Sequence, residues 1–139
     1  MKQRRNFLSA VALALLAVAL PASAAEDIVI GQVAPFSGPQ AVTGKAIHAG
    51  AKLYFDAVNA RGGVRGRAIK LVTRDDAQKP EESVRLTREL ISAEAPLALI
   101  GTVGTANLEA LAKDGVLTQQ RVSMIGAVSG WCRRKYSVS

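Results

Sequence analysis

The sequence predicts an α/β protein: an open parallel sheet with helices on both faces. Three observations carry this. Short apolar runs rich in β-branched residues alternate with longer segments of helical periodicity. The segments between successive strands are long enough to be crossovers rather than hairpins. Glycine- or proline-bearing turns mark the junctions.

Each element has its own signature. Ile28 to Ala34 (IVIGQVA) reads as the first strand, closed by Pro35 and the turn residues Ser37-Gly38-Pro39. Gly44 to Ala60 reads as a helix, because Ile47, Gly50, Ala51, Tyr54 and Val58 recur at helical spacing; Thr43 is its expected N-cap and Gly62-Gly63 its stop. Ala68 to Arg74 is the second strand, ended by Asp75-Asp76. Pro80 suits the first turn of a second helix, where its missing N–H costs nothing, and that helix carries Val84, Leu86, Leu90 and Ile91. Beyond Pro96, Leu97 to Ile100 is a short buried strand followed by the Gly101-to-Thr105 turn. A third helix bears Leu108, Leu111 and Ala112 and finishes at Gly115, and Val122 to Val128 is a fourth strand. No internal repeat or low-complexity segment is present.

The two ends differ from this pattern. Lys2, Arg4 and Arg5 precede an apolar stretch from Phe7 to Leu20, and Pro21 and Ala22-Ser23-Ala24 follow. These are the three parts of a secretory signal peptide, expected to be cleaved after Ala24. The apolar run of about 14 residues is short of the roughly 20 that span a bilayer. At the other end WCRRKYSVS has neither periodicity nor turn logic. The formal charge of +7 is an end effect, since residues 25–130 hold 12 basic and 11 acidic side chains. No basic stripe interleaved with aromatics appears, so nucleic acid is not an expected partner. Cys132 is the one cysteine and His48 the one histidine, which leaves no internal disulfide and no metal-binding pair. No cofactor and no catalytic set is expected.

In open parallel sheets, ligands bind beyond the carboxyl ends of the strands. Four segments occupy that edge: 35–39, 75–78, 102–105 and 128–130. The third is the most informative. Gly104 allows close backbone approach, and the free N–H groups and dipole of the helix headed by Thr105 favour an anion such as a carboxylate. The plainer alternative makes Thr105 an N-cap and Gly104 a tight turn. Asp75-Asp76 reads as a surface turn with one Asp in a local hydrogen bond rather than a Mg²⁺ or phosphoacceptor site.

Taken in order, IVIGQVAPFSGPQAVTGKAIHAGAKLYFDAVNARGGVRGRAIKLVTRDDAQKPEESVRLTRELI, ALIGTVGTANLEAL and MIGAVSG resemble the start of the leucine/isoleucine/valine-binding family. These are the type I periplasmic receptors of ABC transporters, and the resemblance runs from about Asp27 to Gly130. It implies a partial, truncated first lobe over residues 25–130, between the signal peptide over 1–24 and a non-family tail over 131–139. It also implies Thr105 as a ligand α-carboxylate contact, with Gly104 beside it. Val128, Ser129 and Gly130 follow as contacts after the fourth strand, and Thr43 lies near the cleft mouth. The implied function is periplasmic capture of a branched-chain or related amino acid and delivery to an ABC permease of the inner membrane. The family also includes amide, urea and aromatic-acid binders. Two departures stand out. A disulfide that some members carry is absent, because its positions read Gln78 and Gly104. The chain is also far shorter than the two-lobed members, so a shifted or stopped reading frame and a non-functional product are the alternative. A third reading is an extracytoplasmic ligand-sensing module.

Overall fold

The computed structural model describes residues 26–129; the segment expected to be a signal peptide (1–24) with its cleavage site, Ala25, Gly130 and the 131–139 tail lie outside them. The elements are β1 (Ile28–Ala34), α1 (Ala41–Ala60), β2 (Ile69–Asp75), α2 (Pro80–Glu94), β3 (Ala98–Ile100), α3 (Thr105–Asp114), α4 (Val116–Gln120) and β4 (Ser123–Ile125). All strand pairings are parallel, in the order β2-β1-β3-β4. The open parallel α/β sheet expected from the sequence is the fold observed.

Strand alternation separates the two faces. Lys70 and Arg74 reach Glu94 and Glu89 of α2, so that face of β2 lies under α2. Ile69 and Leu71 point the other way and line a groove with His48 and Phe55 of α1. The core is on the α2 face: Val33, Val72 and Leu99 of the sheet pack with Leu86, Leu90, Ile91, Leu111 and Val116. Leu90 is fully buried at its centre, and Gly31 of β1 leaves room for it: a Cβ there would sit 2.6 Å from a Leu90 methyl. On the opposite face α1 is fastened to β2 by Asn59, which donates to Ile69 O (2.9 Å) and accepts from Ile69 N (2.8 Å).

The boundaries correct the sequence reading in three places. α1 starts at Ala41 with Gln40 in the cap position, so Thr43 lies inside the first turn and its hydroxyl donates to Gln40 Oε1 (3.3 Å). Gly44 is buried so tightly against Pro35 that a Cβ would lie 2.0 Å from the Pro35 carbonyl oxygen. Gly115 caps α3 in the left-handed conformation (φ 76°) and a further short helix, α4, follows it. The expected 122–128 strand is shorter: β4 ends at Ile125, Gly126 turns at φ 65°, and Val128 makes an isolated parallel bridge to Val103.

Candidate functional site

The strand order fixes where a ligand can sit. From β1 the chain crosses to β2 on one side, whereas β3 lies on the other side of β1 and leads outward to β4. The chain therefore reverses direction across the sheet between β1 and β3, the switch point at whose carboxyl edge open parallel sheets offer a ligand crevice.

One wall of that crevice is the β3–α3 loop. Gly104 occupies the cap position with φ 109° and ψ 130°, a region that side chains rarely adopt. Its N–H donates to Val128 O (2.9 Å), and Val128 N–H donates to Thr102 O (2.8 Å). A Cβ on Gly104 would lie 2.2 Å from Gln78 Nε2 and 3.2 Å from Asn107 Oδ1, so the loop is closed around a residue without a side chain. Thr105 is then the first helical residue, half-buried, and the cap position belongs to Gly104. The first turn of α3 has no side-chain cap, so the N–H groups of its opening residues face the crevice end of the helix unpaired by a cap. These donors and the helix dipole form an anion-favouring corner.

The structure brings Gly104, Thr105 and Val128 together and carries Ser129 next to them, exposed. Val128 has both backbone groups engaged with the β3–α3 loop, and its carbonyl oxygen keeps a second lone pair. Thr43 lies at the same sheet edge on the first turn of α1, half-buried. Gly130 lies outside the described residues.

The adjacent aspartates divide between two tasks. Asp75 is exposed, and its Oδ1 accepts from the backbone N–H of Phe36 (2.9 Å), Ser37 (3.3 Å) and Ala77 (2.9 Å). Burial works against its charged form, but hydrogen bonds from the Ser37 side chain and the Ala77, Phe36 and Ser37 backbone outweigh it and hold the carboxyl below its ordinary range. Asp76 is fully buried, which corrects the reading of the pair as a surface turn. It accepts from Gln78 N (3.0 Å), the Ser83 hydroxyl and Asn107 Nδ2 (3.0 Å).

Sequence reasoning missed Gln32 and Asn107, and placed Thr102 at the edge only as part of the 102–105 segment. All are buried, and Gln32 Nε2, Thr102 Oγ1 and Asn107 Oδ1 have no hydrogen-bond partner among the described residues. Gln32 Oε1 meets His48 Nδ1 at 3.2 Å, and the His48 ring stands edge-on to Phe36 at 5.6 Å. The polar Gln32 inside IVIGQVA was the available signal: a central strand places a Gln between apolar neighbours only where something pairs with it.

The fold recurs in known proteins. A family model described as periplasmic binding protein matches residues 27–139, a span that includes the last nine residues. The Leu/Ile/Val-binding protein homolog 7 of Brucella suis is 38% identical over 116 residues, covering 84% of this chain and 28% of the relative. A substrate-binding periplasmic protein from Ralstonia solanacearum superposes with a TM-score of 0.71 at 50% identity, over 73% of this chain and 29% of that one. The branched-chain amino acid transporter substrate binding protein LivJ from Streptococcus pneumoniae, solved with isoleucine, superposes with a TM-score of 0.67 at 28% identity, over 75% and 30%. The chain thus spans somewhat more than a quarter of the length of these proteins. With its parallel sheet, its open carboxyl edge and these likenesses, the chain belongs to the periplasmic binding protein family, among the type I proteins that include the Leu/Ile/Val-binding proteins.

Proposed function

We propose that this chain provides the first-lobe wall of a solute-binding site in the substrate-binding component of an ABC transporter, and that its solute is a branched-chain or related amino acid. The observation that carries this reading is the uncapped start of α3 at Gly104–Thr105, at the switch-point crevice. A ligand carboxylate there accepts from the opening N–H groups of α3 and from the Thr105 hydroxyl, while the Val128 carbonyl and Ser129 offer polar groups alongside. Thr43 borders the entrance, and Gly130, outside the described residues, is a further contact proposed on the family resemblance alone. The Leu/Ile/Val-binding names of the relatives favour an aliphatic amino acid, and the role is capture and delivery to an inner-membrane permease rather than catalysis. The signal-like segment supports export to the periplasm with cleavage after Ala24, which the amino-terminal mass of the exported protein tests.

The test is thermal stabilisation by millimolar L-leucine, L-isoleucine and L-valine, since a ligand that binds only the native state raises its stability by mass action. Stabilisation by one of them, lost in Thr105→Val, is the expected result. No stabilisation by any of them refutes the reading.

A second reading, a product that does not capture solute, is favoured by exposed apolar surface. Val42, Leu53 and Tyr54 of α1 are 81%, 74% and 65% exposed, and Ile125 of edge strand β4 is 61% exposed. Such surface promotes association. Aggregation and rapid proteolysis of the exported chain support this alternative, and a cooperatively unfolding monomer counts against it.

A further inference from the structure

We propose that Asp75 and Asp76 act as a two-way clamp that sets the spacing of the crevice walls, which makes both of them positioning residues for the ligand. The inference rests on the proposed ligand edge. Asp75 holds the loop after β1 and Asp76 holds the start of α3, and the two are joined by a single peptide bond.

The geometry assigns each arm. Asp75 ends β2 on the α1 face, and its Oδ1 gathers the N–H groups of Phe36 and Ser37, 39 and 38 residues away. Asp76 points into the other side, where it is 0% exposed and binds Ser83 of α2 and Asn107 of α3. Asn107 Nδ2 also reaches Ser83 Oγ at 2.6 Å, closing a three-residue network across two helices. Asn107 is the third residue of α3, so its anchorage fixes the direction in which the opening N–H groups and Thr105 point. The Oδ1 of Asn107 is buried without a partner among the described residues, where Asn107 is held in this network through its amide nitrogen.

The dipeptide also sustains an unusual turn. Ala77 and Gln78 both take left-handed conformations, at φ 46° and 65°, which cost non-glycine residues energy. The Ala77 N–H is bound by Asp75 and the Gln78 N–H by Asp76. Gln78 in turn fills the space that Gly104 leaves open. A local turn-stabilising role accounts for those two bonds alone. The bonds to Phe36, Ser37 and Asn107 go further, because they join the loop after β1 and the first turn of α3 to the 75–78 turn through one rigid unit.

Backbone amide exchange and side-chain amide signals of the full chain, labelled with nitrogen-15, test the clamp, with an L-leucine titration alongside. Asp75→Ala is expected to speed exchange at Phe36, Ser37 and Ala77 by about tenfold or more while Asn107 keeps its side-chain signal. Asp75→Asn, whose carbonyl oxygen can still accept, restores part of that protection. Asn107→Ala, which leaves Asp76 paired with Ser83 and Gln78 if Asp76 variants fail to fold, is expected to move the Thr105 and Ala106 amides and leave Phe36 and Ser37 unmoved. Each arm's loss weakens L-leucine binding by about tenfold. Phe36 and Ser37 amides unchanged in Asp75→Ala, or one common pattern for both variants, overturns the clamp. So does unaltered L-leucine affinity in both. Wild-type protein that ignores L-leucine defeats the ligand reading, while the amide pattern still decides whether the clamp exists.

Discussion

Two glycines in one helix should respond in opposite directions to the same substitution. Gly50 of α1 has nothing within 4 Å of the position its Cβ would take, so Gly50→Ala adds only helix preference. Alanine is favoured over glycine in a helix interior by about 1 kcal/mol. Gly44→Ala gains the same preference but drives a methyl to 2.0 Å from the Pro35 carbonyl oxygen, a backbone atom with no rotamer to escape into. Ordinary contact begins at 3.4 Å, so α1 or the loop after β1 must retreat by roughly 1.4 Å. Overpacking of this kind costs about 3 kcal/mol, and the propensity gain offsets about 1, leaving a loss of about 2 kcal/mol. For a domain of this size that is a midpoint lowered by about 8–16 °C in Gly44→Ala and raised by about 4–8 °C in Gly50→Ala. Thermal and urea unfolding of both variants against wild type measures it. Two shifts of the same sign, or a neutral Gly44→Ala, would show that α1 does not rest on the β1 loop as described.

Further outcomes follow from the core and the site. Leu90→Ala removes a fully buried side chain from the centre of the core and should cost about 2–5 kcal/mol in urea unfolding. The Asp75 carboxyl is held below its ordinary range when folded, so its contribution is present above the unfolded value near 3.8 and is lost as pH falls through the lower folded value. An acid titration of the Phe36 and Ala77 amide shifts should therefore show a midpoint below 3.8, and a midpoint above it contradicts the assigned hydrogen bonds. Replacing Leu53 and Tyr54, both exposed, by lysine should change stability by less than about 0.5 kcal/mol each while raising the concentration at which the chain stays monomeric, as read by light scattering.

Much of the fold was legible because each element obeys local rules. IVIGQVA is a strand with the predicted ends, and Pro80 opens α2 as its missing N–H suggests. The errors lie where tertiary contact overrides local preference. Thr43 looked like a cap by residue type, but Gly44 packs into Pro35 and α1 begins three residues before that glycine. α4 was invisible because Gly115 reads as a stop, whereas here it ends one helix and starts another, and Val116 completes the core. The helix start at Gly104 and Thr105, on which the proposed site rests, was legible from Gly-Thr before an apolar helix. The split between Asp75 and Asp76 was not, because a dipeptide gives no sign of which carboxylate turns inward, and the partners at Phe36 and Asn107 lie more than 30 residues away.

The central claim is that the uncapped start of α3 is where solute meets this chain. An amide-shift titration with L-leucine at millimolar concentration tests it residue by residue. The account predicts saturable shifts centred on Gly104, Thr105 and Ala106 and on Val128 and Ser129, with Asn59 and the far ends of the strands unmoved. Saturable shifts confined to the groove of His48, Phe55 and Leu71 between α1 and β2, or none at any of these residues, would contradict it.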